Sequence, residues 1–236
     1  KESDKTKKAA SELLRLAEEF PESKLAPGAI FNAAAIYESG DEVKKAVAQY
    51  SRLVKKYPDN AKAPEAIFIL GLISESRGNF GKAATYFERL GTEKYKESEK
   101  SADAVYNAAE LRKAMEQWEE AISTYEQYIE MFPDREDIRD VKLRLCYLEK
   151  KRDKPEKALE RFEKFAERDD LEDKEKVEIF TQIGLLMEET QSNGWKDESD
   201  EHFTKAVDIW KNKLKGDVQK KMRHDASHAR FRQAER

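Results

Sequence analysis

Two of the three histidines and the single cysteine are the first side chains to consider as metal ligands or as a nucleophile. His224 and His228 are four residues apart, which on a helix places both imidazoles on one face, as in two-histidine metal sites. A site needs more ligands, and Asp225 beside them lies on a different face. Cys146 is the one cysteine, and its surroundings offer no nucleophile context. We therefore expect no metal site, and a buried packing role for Cys146.

Acidic pairs and a glycine-containing turn do not indicate catalysis either. Glu119-Glu120 and Asp169-Asp170 could suggest general acid–base chemistry, which requires carboxylates in a cleft that separates their pKa values. Here they fall in predicted turns and on polar helix faces. The segment GNFGKA at 78–83 lacks the Gly-rich run before a helix that binds phosphate. We expect a protein that is not an enzyme, with no catalytic, metal-binding or cofactor-binding residues and no cofactor.

Charge and composition exclude two classes of ligand. The 45 Lys and Arg residues are interspersed with 49 Asp and Glu, for a formal net charge of −4, so no long-range field attracts nucleic acid. The apolar runs are far shorter than the roughly 20 residues of a membrane-spanning helix. With 40% charged residues, 39% hydrophobic residues and 9 glycines, the composition is typical of an all-helical protein. We expect a protein partner, no nucleic acid and no membrane insertion of this segment; the oligomeric state is not predicted.

A repeat of 37 or 38 residues organises the chain. An alanine followed four residues later by a bulky apolar residue recurs at intervals of 37, 37, 38, 37 and 48 residues. These alanines are Ala9, Ala46, Ala83, Ala121, Ala158 and Ala206. Twelve positions before four of them lies a small residue, namely Ala34, Gly71, Ala109 or Cys146. The pattern predicts helix pairs in which small residues of the first helix let the second approach, and which must stack to bury their apolar faces.

We therefore predict an all-α fold, a right-handed α-solenoid of antiparallel helix pairs that runs as a single solenoid over 1–236. A half unit at 1–21 precedes units at about 25–58, 62–95, 98–133, 137–170 and 174–215, and a further helix starts within 217–236. Since the first residue is Lys1 and both ends resemble half units, we expect this sequence to be part of a longer solenoid. The fifth unit has about 10 extra residues around TQSNGWKDESDE, which includes Trp195. These residues either lengthen a helix or form a loop. They are either a binding feature or the result of sequence drift.

As a set, the repeated residues resemble the tetratricopeptide repeat family over nearly the whole chain. The matching positions are the small residue of the first helix, Tyr37, the alanine of the second helix, its aromatic (Tyr50, Phe87, Tyr125, Phe162) and the closing Pro58 and Pro133. The period exceeds the usual 34 residues, and the family's tyrosine is replaced by Ser74, Arg112 and Glu149. The junctions FPES at 20–23 and YPDN at 57–60 are similar to those of bacterial envelope repeats, such as the lipoprotein of the barrel assembly machine and the Tol-Pal-associated coordinator.

The resemblance implies that the first helices of successive pairs line a concave groove that binds a peptide. Carried over by position, the groove residues are Phe31, Ala35, Glu38, Phe68, Leu72, Glu75, Tyr106, Glu110, Lys113, Leu143, Tyr147 and Lys150. Phe31, Phe68 and Tyr106 form a row that either contacts an apolar segment of a partner or is buried by packing. The Lys and Asn pattern that holds acidic chaperone tails is not present in these rows.

The resemblance thus implies a non-enzymatic protein-interaction scaffold, within a bacterial envelope assembly. Two alternatives stay open: a chaperone-like or lipoprotein-handling module that binds many extended segments, and a regulatory repeat domain of a larger enzyme. The repeat type favours the periplasm or envelope, with the cytoplasm as the alternative; the single cysteine is compatible with both.

Overall fold

A computed structural model describes residues 2–191 and 194–234. Lys1, Ser192, Asn193, Glu235 and Arg236, which belong to the predicted half unit, insertion and final helix, lie outside the described residues. The described part of the chain is all-α, with 13 helices and no strand. The predicted all-α fold of stacked antiparallel helix pairs is confirmed. None of the described helices is both long enough and apolar enough to span a membrane.

The helices divide between two compact units, Lys1–Pro133 and Asp134–Arg236. In the first unit they are α1 (Glu2–Glu19), α2 (Ala26–Ser39), α3 (Val43–Lys56), α4 (Ala63–Ser76), α5 (Phe80–Leu90), α6 (Ser101–Ala114) and α7 (Trp118–Met131). In the second they are α8 (Ile138–Lys151), α9 (Pro155–Ala166), α10 (Asp173–Thr190), α11 (Trp195–Asn212), α12 (Gly216–Lys221) and α13 (Arg223–Ala234). That 1–236 forms one continuous solenoid stays a prediction.

In the first unit each helix packs on the next along the chain. Helix α1 lies against α2, and the pairs α2/α3, α4/α5 and α6/α7 follow, with α3 against α4 and α5 against α6. Pro27 and Pro64 lie in the first turn of α2 and α4, where a missing N–H costs no helical hydrogen bond. The second helices are amphipathic: in α3, for example, Ala46, Tyr50 and Leu53 are buried on one face.

The turn between the two helices of a pair uses a residue in the left-handed region. Asp41, Gly78 and Glu116 have φ values of 56°, 73° and 58° in the first unit, and Asp153 has 58° in the second. Only glycine adopts this region without steric cost, so three of the four turns carry strain in the backbone.

Close approach of the two helices in a pair depends on the small residue of the first helix. A Cβ atom on Gly71 would overlap the ring of Phe87, and one on Gly184 would overlap the ring of Phe203. Cys146 occupies the same position in the second unit and is buried. The predicted role of these small residues therefore corresponds to direct contact with the aromatic ring of the second helix.

In the second unit the pairs α8/α9 and α10/α11 pack in sequence, and α13 packs against α11. Helices α10 and α11 have 18 residues each, against 14 in α8 and 12 in α9. The extra residues around Trp195 therefore lengthen both helices of the pair. Trp195 itself is the first residue of α11 and packs, partly buried, against the core of this unit.

Candidate functional site

Lysine–aromatic contacts link the first helices of the first unit, α2, α4 and α6, in chain order. Lys62, which precedes α4, has its Nζ 4.8 Å from the ring centroid of Phe31 in α2. Lys100, which precedes α6, has its Nζ 5.7 Å from the ring centroid of Phe68 in α4. These two cation–π contacts repeat from unit to unit and hold the start of each first helix over the aromatic side chain of the one before.

The predicted aromatic row contributes to the core. Phe31 is only 8% exposed, and Phe68 and Tyr106 are half-buried. Each ring packs against the aromatic of its own second helix, in geometries that aromatic pairs favour. The ring centroids are 5.4 Å apart in Phe31–Tyr50, 5.4 Å in Phe68–Phe87 and 6.0 Å in Tyr106–Tyr125. The sequence left open whether this row contacts a partner or packs inside the protein, and these contacts are packing contacts.

An apolar patch is exposed on α4 instead. Leu72 has 43% of its surface exposed, and Ile69 and Ile73 beside it are half-buried. Positions i, i+3 and i+4 share one helix face, so the three side chains form a continuous surface. At the positions that correspond to Ile69 and Leu72, the neighbouring helices have polar or small residues, Asn32 and Ala35 in α2 and Asn107 and Glu110 in α6, whereas Ile73 corresponds to the apolar Ile36 and Leu111.

Ile69 and Ile73 were missing from the sequence-predicted site. Their signal is the run AIFILGLI at 66–73, which makes α4 apolar around most of its circumference. A helix of that kind is either enclosed or presents an apolar face to a partner. The groove positions inferred from the repeat family include about one residue per turn of α4, and neither isoleucine is at such a position.

Carboxylates surround this patch, and two of them lack a cation. Lys62 pairs with Glu65 at 2.8 Å, and Lys113 pairs with Glu110. Glu38 accepts a hydrogen bond from the Tyr50 hydroxyl at 2.8 Å and makes no ion pair with any of the described residues. Burial, with a smaller contribution from Glu38, raises the pKa of Tyr50, so that the phenol stays a donor. The side-chain carboxylate of Glu75, three residues after Leu72, has no hydrogen-bond or ion-pair partner within the described part of the chain.

In the second unit the predicted groove residues join two helices. The Tyr147 hydroxyl donates to Glu178, and the Lys150 ammonium donates to the Gln182 side chain at 2.7 Å. Arg139 pairs with Glu175 on the same two helices. Tyr147 also packs edge-on against Phe162, with ring centroids 5.2 Å apart. Leu143 is partly buried against the core. The polar groups of Tyr147 and Lys150 are thus engaged between α8 and α10.

Other titratable residues of the second unit have structural surroundings. Glu149, at the position of the family's tyrosine, is buried and pairs with Arg152 at 3.4 Å and Arg161 at 3.2 Å. Burial raises the pKa of the Cys146 thiol to about 12, which disfavours the nucleophilic thiolate. The rings of His224 and His228 stack with centroids 5.8 Å apart. Within the described residues no group of three or more His, Cys, Asp and Glu side chains could hold a metal ion.

Two segments match a known family. Residues 29–60 and 103–135 match the sequence model of the tetratricopeptide repeat, which confirms the predicted resemblance for α2/α3 and α6/α7; the narrower resemblance to envelope proteins stays a prediction. No curated protein matches the chain. A solved TPR repeats protein from Bacteroides fragilis is 16% identical, covers 89% of this chain and 96% of its own, and has a TM-score of 0.52. YrrB, described as a TPR protein with an unusual peptide-binding site, is 19% identical, covers 94% of this chain and 100% of its own, and has a TM-score of 0.47.

Proposed function

With two tetratricopeptide repeats as the premise, we propose that this protein is a non-enzymatic interaction scaffold that binds a protein segment on the face formed by α2, α4 and α6. Repeats of this kind use stacked first helices as an extended binding surface. The observation that carries the proposal is the exposed Leu72 between Ile69 and Ile73. A contiguous apolar surface on a chain with 40% charged residues favours a partner that covers it.

The structure changes which predicted residues we assign to binding. Leu72, Glu38 and Glu75 keep exposed or half-exposed side chains on this face. Phe31, Phe68 and Tyr106 support the face from below, since their rings pack on the second helices. Covering the exposed 43% of Leu72 contributes about 1 kcal/mol, because complete burial of a leucine side chain contributes about 1.5–3 kcal/mol.

The proposed cellular setting is a bacterial envelope assembly. It rests on the FPES and YPDN junctions and their likeness to envelope repeats. The test is to fractionate cells that express the complete gene of the source organism. Recovery of the protein with the periplasm or the membranes supports the setting, and recovery with the cytoplasm contradicts it.

The binding face is tested by capture from an extract of the source organism with the immobilised chain. Leu72→Ser removes the apolar centre of the face. Phe80→Ser is the matched control, because Phe80 is 45% exposed at the start of α5, outside the face. Both variants are checked for native helicity by circular dichroism.

We expect a small set of proteins that the wild type and Phe80→Ser retain and Leu72→Ser loses, and that bind again as purified proteins. Equal retention by all three chains contradicts the proposed face. Retention of many unrelated unfolded proteins, dependent on Leu72, supports the chaperone-like alternative in place of a scaffold with a defined partner.

A further inference from the structure

The apolar patch on α4 is bordered by unneutralised negative charge. Among the charged residues of the face, Lys62 and Lys113 are already paired with Glu65 and Glu110. Lys100 lies over the ring of Phe68. On this face, Glu38 and Glu75 are carboxylates that make no ion pair with any described residue. A partner that covers the patch therefore meets free carboxylates, whereas Lys62, Lys113 and Lys100 already have partners.

Glu75 lies within reach of anything that contacts Leu72. Residues at i and i+3 on a helix have Cβ atoms about 5–6 Å apart. Glu38 occupies the same position on α2 that Glu75 occupies on α4, 37 residues earlier. Arg77, the nearest cation along the chain, makes no ion pair with either carboxylate within the described residues. Glu75 thus lies beside Leu72, and Glu38 occupies the equivalent position one repeat earlier.

From this arrangement we infer that the segment bound on α4 has an apolar side chain next to Lys or Arg residues. This inference rests on the proposed function and specifies the partner. The apolar side chain covers Leu72 and packs between Ile69 and Ile73. The basic side chains pair with Glu75 and Glu38. An acidic segment is disfavoured, since it would face these carboxylates and would have to displace Glu65 from Lys62 or Glu110 from Lys113.

The inferred composition of the bound segment is tested by selection from a phage-displayed library of random 12-residue peptides. The full chain is the target, and Leu72→Ser serves as the counter-target. Peptides enriched on the wild type and lost on Leu72→Ser should combine a Leu, Ile, Phe or Met with at least one Lys or Arg within four positions. An excess of Asp and Glu in that set, or no excess of Lys and Arg over the library, overturns the inference.

Charge exchange on one synthetic peptide from that set gives a second readout. Glu75→Gln and Glu38→Gln together should weaken binding by about five- to tenfold, the range of two partly exposed ion pairs. Glu75→Lys should weaken it further, and replacement of the peptide's Lys or Arg by Glu should restore part of that loss. Glu22→Gln, which neutralises an exposed carboxylate before α2, should leave the affinity unchanged. Equal affinities for the wild type and Glu75→Lys contradict the assignment.

The results separate this inference from the proposed function. Peptides that depend on Leu72 but have no basic bias leave the scaffold and its face intact and refute only the basic partner. Enrichment that is equal on the wild type and on Leu72→Ser counts against the face itself, and the inference then fails with it.

Discussion

The hydroxyl of Tyr57 donates a hydrogen bond of 2.7 Å to the carbonyl of Pro21, 36 residues earlier. Tyr95 makes the same contact to Pro58 at 2.9 Å, 37 residues earlier. The residue after one helix pair is thereby tied to the turn before it. Because the contact is specific to units one repeat apart, it stabilises the stacking of pairs as well as each pair.

Removal of these hydroxyls should weaken the stacking. Tyr57→Phe and Tyr95→Phe should each lower the free energy of unfolding by about 1 kcal/mol, because a carbonyl loses its partner at a partly buried position. Urea denaturation followed by circular dichroism measures the loss. Tyr86→Phe is the control, since the Tyr86 hydroxyl has no partner in the described residues; a decrease as large in Tyr86→Phe would contradict the role of the two contacts.

A methyl group at Gly71 should separate α4 from α5. Gly71→Ala should lower the free energy of unfolding by about 1–3 kcal/mol, because the new Cβ overlaps the ring of Phe87. Gly81→Ala, in α5, meets nothing within 4 Å and should be neutral or stabilising by up to about 0.5 kcal/mol through helix propensity. Thermal unfolding of the two variants provides the comparison, and a more stable Gly71→Ala would exclude the close contact.

The turn at Glu116 should accept glycine. Glu116→Gly should raise the free energy of unfolding by about 0.5–1 kcal/mol, because φ of 58° strains a side chain but not glycine. Gly78→Ala, at the same position one unit earlier with φ of 73°, should lower it by at least that amount. Chemical denaturation of both variants tests whether their free energies of unfolding change in opposite directions. Two changes in the same direction would rule out backbone strain as the cause.

Truncation of Phe31 should destabilise the first unit more than truncation of Leu72 does. Phe31→Ala should lower the free energy of unfolding by about 3 kcal/mol, since the ring is buried against Tyr50. Leu72→Ser should cost less than about 1 kcal/mol, because Leu72 is the more exposed of the two. Parallel urea titrations decide this, and equal stability of Phe31→Ala and the wild type would mean that Phe31 is free for a partner.

His202 should make the second unit sensitive to acid. It packs against Phe180, with ring centroids 5.7 Å apart. Burial lowers the pKa of His202, Lys205 adds to the effect, and Glu201 and Glu198 oppose it. The unfolded chain therefore takes up a proton near pH 6.5 that the folded chain takes up only at lower pH. Stability is full above that pH and decreases as the pH falls through this window.

The measurement uses a Trp118→Phe background, in which the fluorescence of Trp195 and Trp210 reports on the second unit. The urea midpoint should fall between pH 7.5 and pH 5.5, and His202→Gln should remove part of this dependence. His224→Gln, at an exposed position, should not. An unchanged pH dependence in His202→Gln would assign the acid sensitivity to other groups.

The helical pairs could be predicted because the pattern that encodes them is local. The small residue and the aromatic of a pair lie 16 positions apart, as Gly71 and Phe87 do, and a helix of 3.6 residues per turn places each on the facing side. The αL turns at Asp41 and Glu116 were not predicted: Asp only modestly favours positive φ and Glu does not favour it. The sequence also left open whether the residues around Trp195 form a loop, since a longer helix pair has a similar composition.

What the sequence determined by itself is the repeat, the all-α class and the faces on which the helices of a pair meet. Only the tertiary structure decided that Phe31 packs against Tyr50, that Tyr147 and Lys150 bond to α10, and that Leu72 stays uncovered. The physical reason is geometric: one residue along a helix rotates a side chain by 100°, as the helical period requires. Whether that rotation ends in the core, on a neighbouring helix or in solvent depends on helices that are distant in the sequence.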